Sequence, residues 1–382
     1  MPDVKRIALF LDGTWNNVAA NTNVWRLKSL CDSTPEQLVY YSAGVGTQAG
    51  EHLSGGMFGI GIDKEVTDAY EWLIEHYETE AQLFIFGFSR GAFTARSLAG
   101  FISKCGLLQA GSPVSIRQMF ERYRKGTAIS ILQLAKAPES DLSEEDKLIK
   151  SYSQPIPIWL QGVWDTVGAL GVPLPFIPKV SHEDFAFLET DLRINDTHAY
   201  HALAIDEHRE AFAPTLWVKN TPKQGDSPAP RDLFHVEQRW FAGAHANVGG
   251  GYEDDLLAEV PLCWLKSKAA AHGLQFRHDV VIDGDVNACP VRDSYAEMAH
   301  GVYKAITFGK EYFRLIGAEP VDTGDAVRTT INETIDASVF DRWRSDATYR
   351  PKNLLEWAGR RGVDPSMLHQ AVRADDATAV GP

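Results

Sequence analysis

The segment from residue 82 to 103, QLFIFGFSRGAFTARSLAGFIS, constrains the chain more than any other. Residues 82–86 are an apolar run of strand length, and 92–103 are rich in small residues and read as a helix. Between them stands the G-x-S-x-G pentapeptide Gly87-Phe88-Ser89-Arg90-Gly91. The pattern alone is common by chance. A strand before it and a helix after it are the setting in which it holds a serine on a sharp, strained turn. Side chains in place of the two glycines would collide with the strand or the helix. The turn presents the Ser89 hydroxyl over the carboxyl end of a sheet, where the Arg90 N–H, at the helix N-terminus, suits a developing oxyanion. The plainer alternative, a buried helix N-cap serine, is the weaker reading.

The chain before and after this segment keeps the same rhythm. Arg6–Leu11 and 38–41 read as strands, and 64–77 as a helix with Val66, Ala69, Tyr70 and Leu73 on one side. Strands separated by helices predict an α/β protein with a mostly parallel, doubly wound sheet and helical insertions. Residues 108–152, with the polar run PESDLSEEDK and two helical pieces, read as a helical insertion over that sheet. Strands resume at 156–164, 215–218 and 235–242, and 254–272 is a long helix. Beyond Gly284 the pattern weakens. The division this predicts is a catalytic domain over 1–284, a C-terminal extension packed on it over 285–366, and a disordered tail over 367–382.

A serine hydroxyl needs a histidine to take its proton, and the histidine needs an orienting carboxylate. Of 12 histidines, His245 follows a strand and sits in the glycine-rich GAHANVGGG, a loop able to cross the sheet top. His201 and His208 flank 202–205, which looks like packed structure, and are read as structural or surface residues. Asp165 ends the apolar strand in VWDTV and is the leading acid, with Asp206 as runner-up; Asp254 and Asp255 read as helix N-terminal carboxylates. The order Ser89, Asp165, His245 is the chain order of α/β-hydrolases. Gly13 or Thr14, after the first strand, is the expected second oxyanion donor. Leu170, Leu174 and Phe176, in a proline-stiffened loop beyond Asp165, are candidates for the wall of an acyl pocket.

Composition excludes several other classes. A net charge of −14 opposes nucleic-acid binding, which needs a basic surface, and gives no help toward anionic lipid. The four cysteines form no CxxC pair and no HExxH occurs, so neither a metal nor a cofactor is expected. No stretch reaches the ~20 apolar residues of a membrane span, and the short run after Lys5 and Arg6 is no secretory signal. The expectation is a cytoplasmic protein in the producing cell, with export by a dedicated machine left open.

Six ordered motifs together resemble one family: FLDGTWNN at 10–17, AGVGT at 43–47, GFSRGAFTAR at 87–96, WDTVGALG at 164–171, ALAIDEHR at 202–209 and HANVGGGY at 245–252. It is the uncharacterised α/β-hydrolase family that includes the type VI secretion phospholipase effectors of the first lipase class. The resemblance runs from about residue 5 to 275, with a weaker echo in YRPKNL at 349–354. It implies Ser89 as nucleophile, Asp165 as acid and His245 as base, acting on glycerophospholipid acyl esters without a metal. It also implies peripheral membrane contact and a secretion-apparatus or immunity-protein partner. One departure is Asn247, where the family usually has aspartate. The chain is also compact for an effector, without a large membrane-binding extension. A soluble esterase or thioesterase on small acyl substrates, and a catalytically silent binding protein of the same fold, are the alternatives.

Overall fold

The structure, a computed structural model, describes residues 4–13, 20–44, 57–125, 128–168, 196–224, 229–253, 255–297, 304 and 307–375. The chain opens with β1 (Arg6–Leu11), α1 (Asn23–Leu30), β2 (Gln37–Ser42), α2 (Met57–His76), β3 (Gln82–Phe88) and α3 (Arg90–Cys105). A two-stranded ribbon, β4 (Leu107–Leu108) with β5 (Ser153–Gln154), brackets three helices, α4 (Ile116–Arg124), α5 (Ile131–Lys136) and α6 (Glu144–Tyr152). Then follow β6 (Ile158–Trp164), β7 (Asp196–Ala204), β8 (Val218–Pro222) and β9 (Val236–Phe241). The C-terminal part adds β10 (Val321–Asp322), β11 (Ala326–Thr330), β12 (Glu333–Ile335) and β13 (Val372–Arg373).

Eight of these strands form one sheet in the order β13-β12-β9-β7-β6-β3-β1-β2. Every pair from β2 to β12 is parallel, and only β13 runs against its neighbour. Alternate residues of β1 and β3 serve opposite layers. Ile7, Leu9, Leu83 and Ile85 pack with α2 and α3, whereas Ala8, Phe10, Phe84 and Phe86 pack with α1 and the helix Glu259–Ala271. This is why both strands read as unbroken apolar runs. The helices at 108–152 lie on α3, with Phe101 against Phe120 and Tyr123.

Three expectations need correction. The central strand β7, DTHAYHALA, escapes a hydropathy reading because its polar rings are buried against groups from outside the strand. The His198 and His272 rings stack at 3.6 Å, Tyr200 Oη meets His272 Nε2 at 2.7 Å, and His201 Nε2 accepts the Thr166 N–H at 3.0 Å. The strand expected at 215–218 is not part of the main sheet: β8 begins only at Val218 and pairs antiparallel with β11 in a separate three-stranded sheet. The main sheet also runs across the boundary expected at 284. The strand β12 pairs with β9, and β13, inside the expected tail, closes the edge. Residues 376–382 of that tail lie outside the described residues.

Candidate active site

The three residues singled out by sequence come off the carboxyl ends of three strands near the middle of the sheet. Phe88, which ends β3, pairs with Trp164, which ends β6, so Ser89 and Asp165 start neighbouring loops. Both leave their strands with left-handed backbone, at φ 58° and 39°, a conformation that L-residues hold only where the surroundings enforce it. At Ser89 the enforcement is crowding. A Cβ on Gly87 would lie 2.4 Å from the Gly91 carbonyl oxygen, and one on Gly91 would lie 2.2 Å from that of Leu11. With glycine at both positions, α3 starts hard against the end of β1.

Asp165 is fully buried, and all its partners are donors. Its Oδ1 accepts from the Ala204 N–H at 3.0 Å and from Arg314 at 2.6 Å; its Oδ2 accepts from His245 Nδ1 at 2.5 Å and from Arg314 at 2.9 Å. Burial by itself raises a carboxyl pKa. Here the Arg314 charge and the bond from His245 outweigh it and hold Asp165 well below the usual carboxylate range. Asp165 is therefore an acceptor only, which puts the proton on His245 Nδ1 and leaves Nε2 as an acceptor. That nitrogen lies 2.8 Å from Ser89 Oγ.

His245 opens the short helix His245–Gly249 after β9. The turn into it is fixed by Asp206, whose Oδ2 accepts the Gly243 N–H at 2.7 Å and the Tyr349 hydroxyl at 3.0 Å. Glu207 accepts the His245 N–H at 3.2 Å and the Ser294 hydroxyl at 2.8 Å, and is forked by Arg209. Burial opposes the Glu207 charge, but Arg209 pulls its pKa down to about 2. The imidazole is held between Phe88 and Phe212, with ring centroids at 4.7 and 5.0 Å. Burial disfavours the imidazolium more than Asp165 favours it, so His245 sits below the ordinary histidine range.

The other predicted residues fall out as follows. Arg90 begins α3, and burial lowers its pKa to about 10 against the charge of Glu65. The Gly13 N–H is already donated to Asp12 Oδ1 at 2.8 Å, so it is not a free second donor in this arrangement. Thr14, Leu170, Leu174, Phe176 and Asp254 lie outside the described residues. Asp206, the runner-up acid, braces the glycine turn and has no bond to His245 among the described residues. His208, half-buried, has Nδ1 3.2 Å from the Tyr312 carbonyl and no bond to Ser89, Asp165 or His245 among the described residues. Asn247 uses both ends of its amide. Its Oδ1 accepts the Ala244 N–H at 3.0 Å and its Nδ2 donates to Asp255 at 3.0 Å. Sequence reasoning did not find Arg314, Glu207, Arg209 or Tyr349 as parts of the site. Two motifs, ALAIDEHR and YRPKNL, contain three of them; the residues around Arg314 carry no comparable signal.

A doubly wound parallel sheet with a serine, a carboxylate and a histidine joined in this chain order at its carboxyl edge defines the class, a protein of the α/β-hydrolase type. Residues 5–268 match the family model described as "T6SS, Phospholipase effector Tle1-like, catalytic domain", and the chain belongs to that family. Among curated proteins it is similar to the uncharacterized protein YEL023C of Saccharomyces cerevisiae, at 30% identity over 230 residues. That match covers 54% of this chain and 32% of the yeast protein, so the chain spans about a third of the length of this relative. Among solved structures, an uncharacterized protein from Pseudomonas aeruginosa is similar at 17% identity, with 73% of this chain and 48% of that one covered and a TM-score of 0.46. The Tle1 effector bound to the VgrG spike from the type 6 secretion system is similar at 17% identity, with 65% and 51% covered and a TM-score of 0.36. No helix among the described residues is long and apolar enough to cross a membrane.

Proposed function

We propose that the chain is a serine ester hydrolase that cleaves acyl esters of glycerophospholipids. One observation carries the chemistry: the hydrogen-bond chain from Ser89 Oγ through His245 to Asp165, closed at 2.8 and 2.5 Å. In this reading His245 Nε2 takes the Ser89 proton as Oγ bonds to the ester carbonyl carbon. The Arg90 N–H stabilises the oxyanion, with a second donor from Thr14 or from Gly13 once it leaves Asp12. His245 then passes the proton to the leaving glycerol oxygen, and the lysophospholipid departs. Water attacks the acyl-serine, gives its proton to the same imidazole, and releases the fatty acid as Ser89 is reprotonated. Asp165 keeps the imidazole in the required tautomer throughout.

Membership of a phospholipase effector family supports the lipid substrate, and the apolar, proline-rich sequence of the loop after Asp165 is the ground for assigning Leu170, Leu174 and Phe176 to an acyl wall. Membership likewise supports export by a secretion apparatus; an immunity-protein partner is part of the same proposal. The test is lipid mass spectrometry on phosphatidylethanolamine and phosphatidylglycerol vesicles incubated with wild type and Ser89→Ala. Wild type releases fatty acid and lysophospholipid; Ser89→Ala, equally folded, releases neither. Cleavage of short p-nitrophenyl esters with untouched vesicles moves the substrate to small acyl esters. Failure to hydrolyse either, with no labelling by a fluorophosphonate, sinks the enzyme reading.

A further inference from the structure

We propose that Arg314 is a positioning residue for the reaction, fixing the Asp165 carboxylate edge-on to His245 from a part of the chain that lies beyond the matched catalytic segment. The proposal rests on the Ser89–His245–Asp165 reading given above.

Arg314 and Asp165 are both fully buried. The guanidinium meets the carboxylate end-on, one terminal nitrogen on each oxygen, at 2.6 and 2.9 Å. The same two nitrogens also donate to the carbonyls of Ala204 at 2.9 Å and Phe212 at 2.6 Å. The fork thus ties the end of β7, the turn Glu210–Phe212 and the carboxylate into one rigid unit. Burying such a pair costs desolvation on both sides, and apolar side chains of equal volume commonly stabilise a core as well or better. Its placement on the carboxylate bonded to the His245 ring points instead to orientation. Without the fork, only the Ala204 N–H and His245 itself would hold the carboxylate plane among the described residues.

The fork has an electrostatic effect as well as a geometric one. His245 faces Asp165 and Ser89 at its two nitrogens, with Glu207 and Arg209 beside it on the segment after β7. Arg314 stands behind Asp165, together with the buried His201 and, farther out, Arg96. Arg314 offsets part of the Asp165 charge that favours the imidazolium, and so acts in the same direction as the burial that disfavours the charged ring. Its removal lets the His245–Asp165 pair hold a proton to higher pH. Two further contacts brace the same place from the C-terminal side: Tyr349 on Asp206 at 3.0 Å, and the Asn353 amide on the Ile205 carbonyl at 2.9 Å. The matched segment ends at residue 268, so these three side chains all come from outside it.

The test uses the full chain with Arg314→Met, Arg314→Lys and, as a control, Ser89→Ala. Rates of p-nitrophenyl butyrate hydrolysis from pH 5 to 9 and of fluorophosphonate labelling are read beside circular dichroism. The expected result is a folded Arg314→Met slower by about 10²-fold in both rates. The acid limb of its kcat/KM profile moves to higher pH, and millimolar guanidinium restores part of the rate. Arg314→Lys, with charge but no fork, falls between, and it decides alone if Arg314→Met does not fold. A folded variant within threefold of wild type and with an unmoved acid limb overturns the proposal. If instead Ser89→Ala still turns over, the underlying triad reading fails, and the two failures are thereby told apart.

Discussion

Replacing Asp165 by asparagine exchanges one carboxylate oxygen for an NH2 group in a site where every partner is a donor. If the amide oxygen takes the place of Oδ1, toward Ala204 N–H and Arg314, the NH2 faces His245 Nδ1. That nitrogen must then accept, so the ring proton moves to Nε2 and points at Ser89. A base in that tautomer takes no proton, and the corresponding loss in a serine triad is about 10⁴-fold in kcat. If the amide is flipped, the NH2 meets the Ala204 N–H and the other arm of Arg314, and in either orientation one arm faces the NH2 and the guanidinium is left without its counter-charge. Breaking one side of a buried ion pair costs about 3–5 kcal/mol. With about 2.1 cal/mol/K of unfolding entropy per residue, a chain of 382 residues loses roughly 4–6 °C in Tm for that cost. The assay is kcat on p-nitrophenyl butyrate at pH 8, with Tm followed by circular dichroism. An Asp165→Asn protein that stays within tenfold of wild type, while Ser89→Ala is dead, refutes the assignment of the orienting carboxylate.

Two further outcomes follow from the same geometry. His245 works as a base only when neutral, and burial holds its pKa below the ordinary imidazole value of 6.5. Activity is therefore lost as pH falls, with the midpoint of the acid limb of kcat/KM below 6.5; a midpoint at or above 7 contradicts the burial argument. Asn247→Asp brings a second carboxylate to the oxygen of Asp255 that now accepts the amide at 3.0 Å. Burial already raises the Asp255 pKa, and a facing carboxylate raises the pair further. A carboxyl with a raised folded-state pKa costs stability above that pKa and regains it as pH falls. The variant should thus lose about 1–3 kcal/mol at pH 8 and less at pH 5; an equal deficit in Tm at both would show that charge is not the cause.

What the sequence makes legible depends on how local the cause is. The Ser89 turn is determined by atoms within five residues of it, and the two glycines carry its steric requirement openly. His245 is legible because a glycine-rich loop after an apolar strand has few other uses. The choice between Asp165 and Asp206 is not local. Both follow central strands, and only the register of β6 against β7 decides which faces His245. The strand β7 is hidden for a related reason: its histidines and tyrosine look solvent-facing until their partners, such as His272, are brought alongside. Arg314 lies furthest from view. It meets Asp165 across a separation of 149 residues, from a stretch whose composition is that of any half-buried loop.

The parallel pairing of β12 with β9 has a consequence for how this protein is made. During synthesis β9 emerges long before Glu333–Ile335, so its outer row of amide and carbonyl groups stays bare while the C-terminal part is still being translated. A nascent or prematurely ended chain therefore exposes a sticky ribbon and a carboxylate stripped of its cation. Ribosome-stalled and truncated products should depend on chaperones and aggregate without them, and esterase activity should appear only after the last strands have been released.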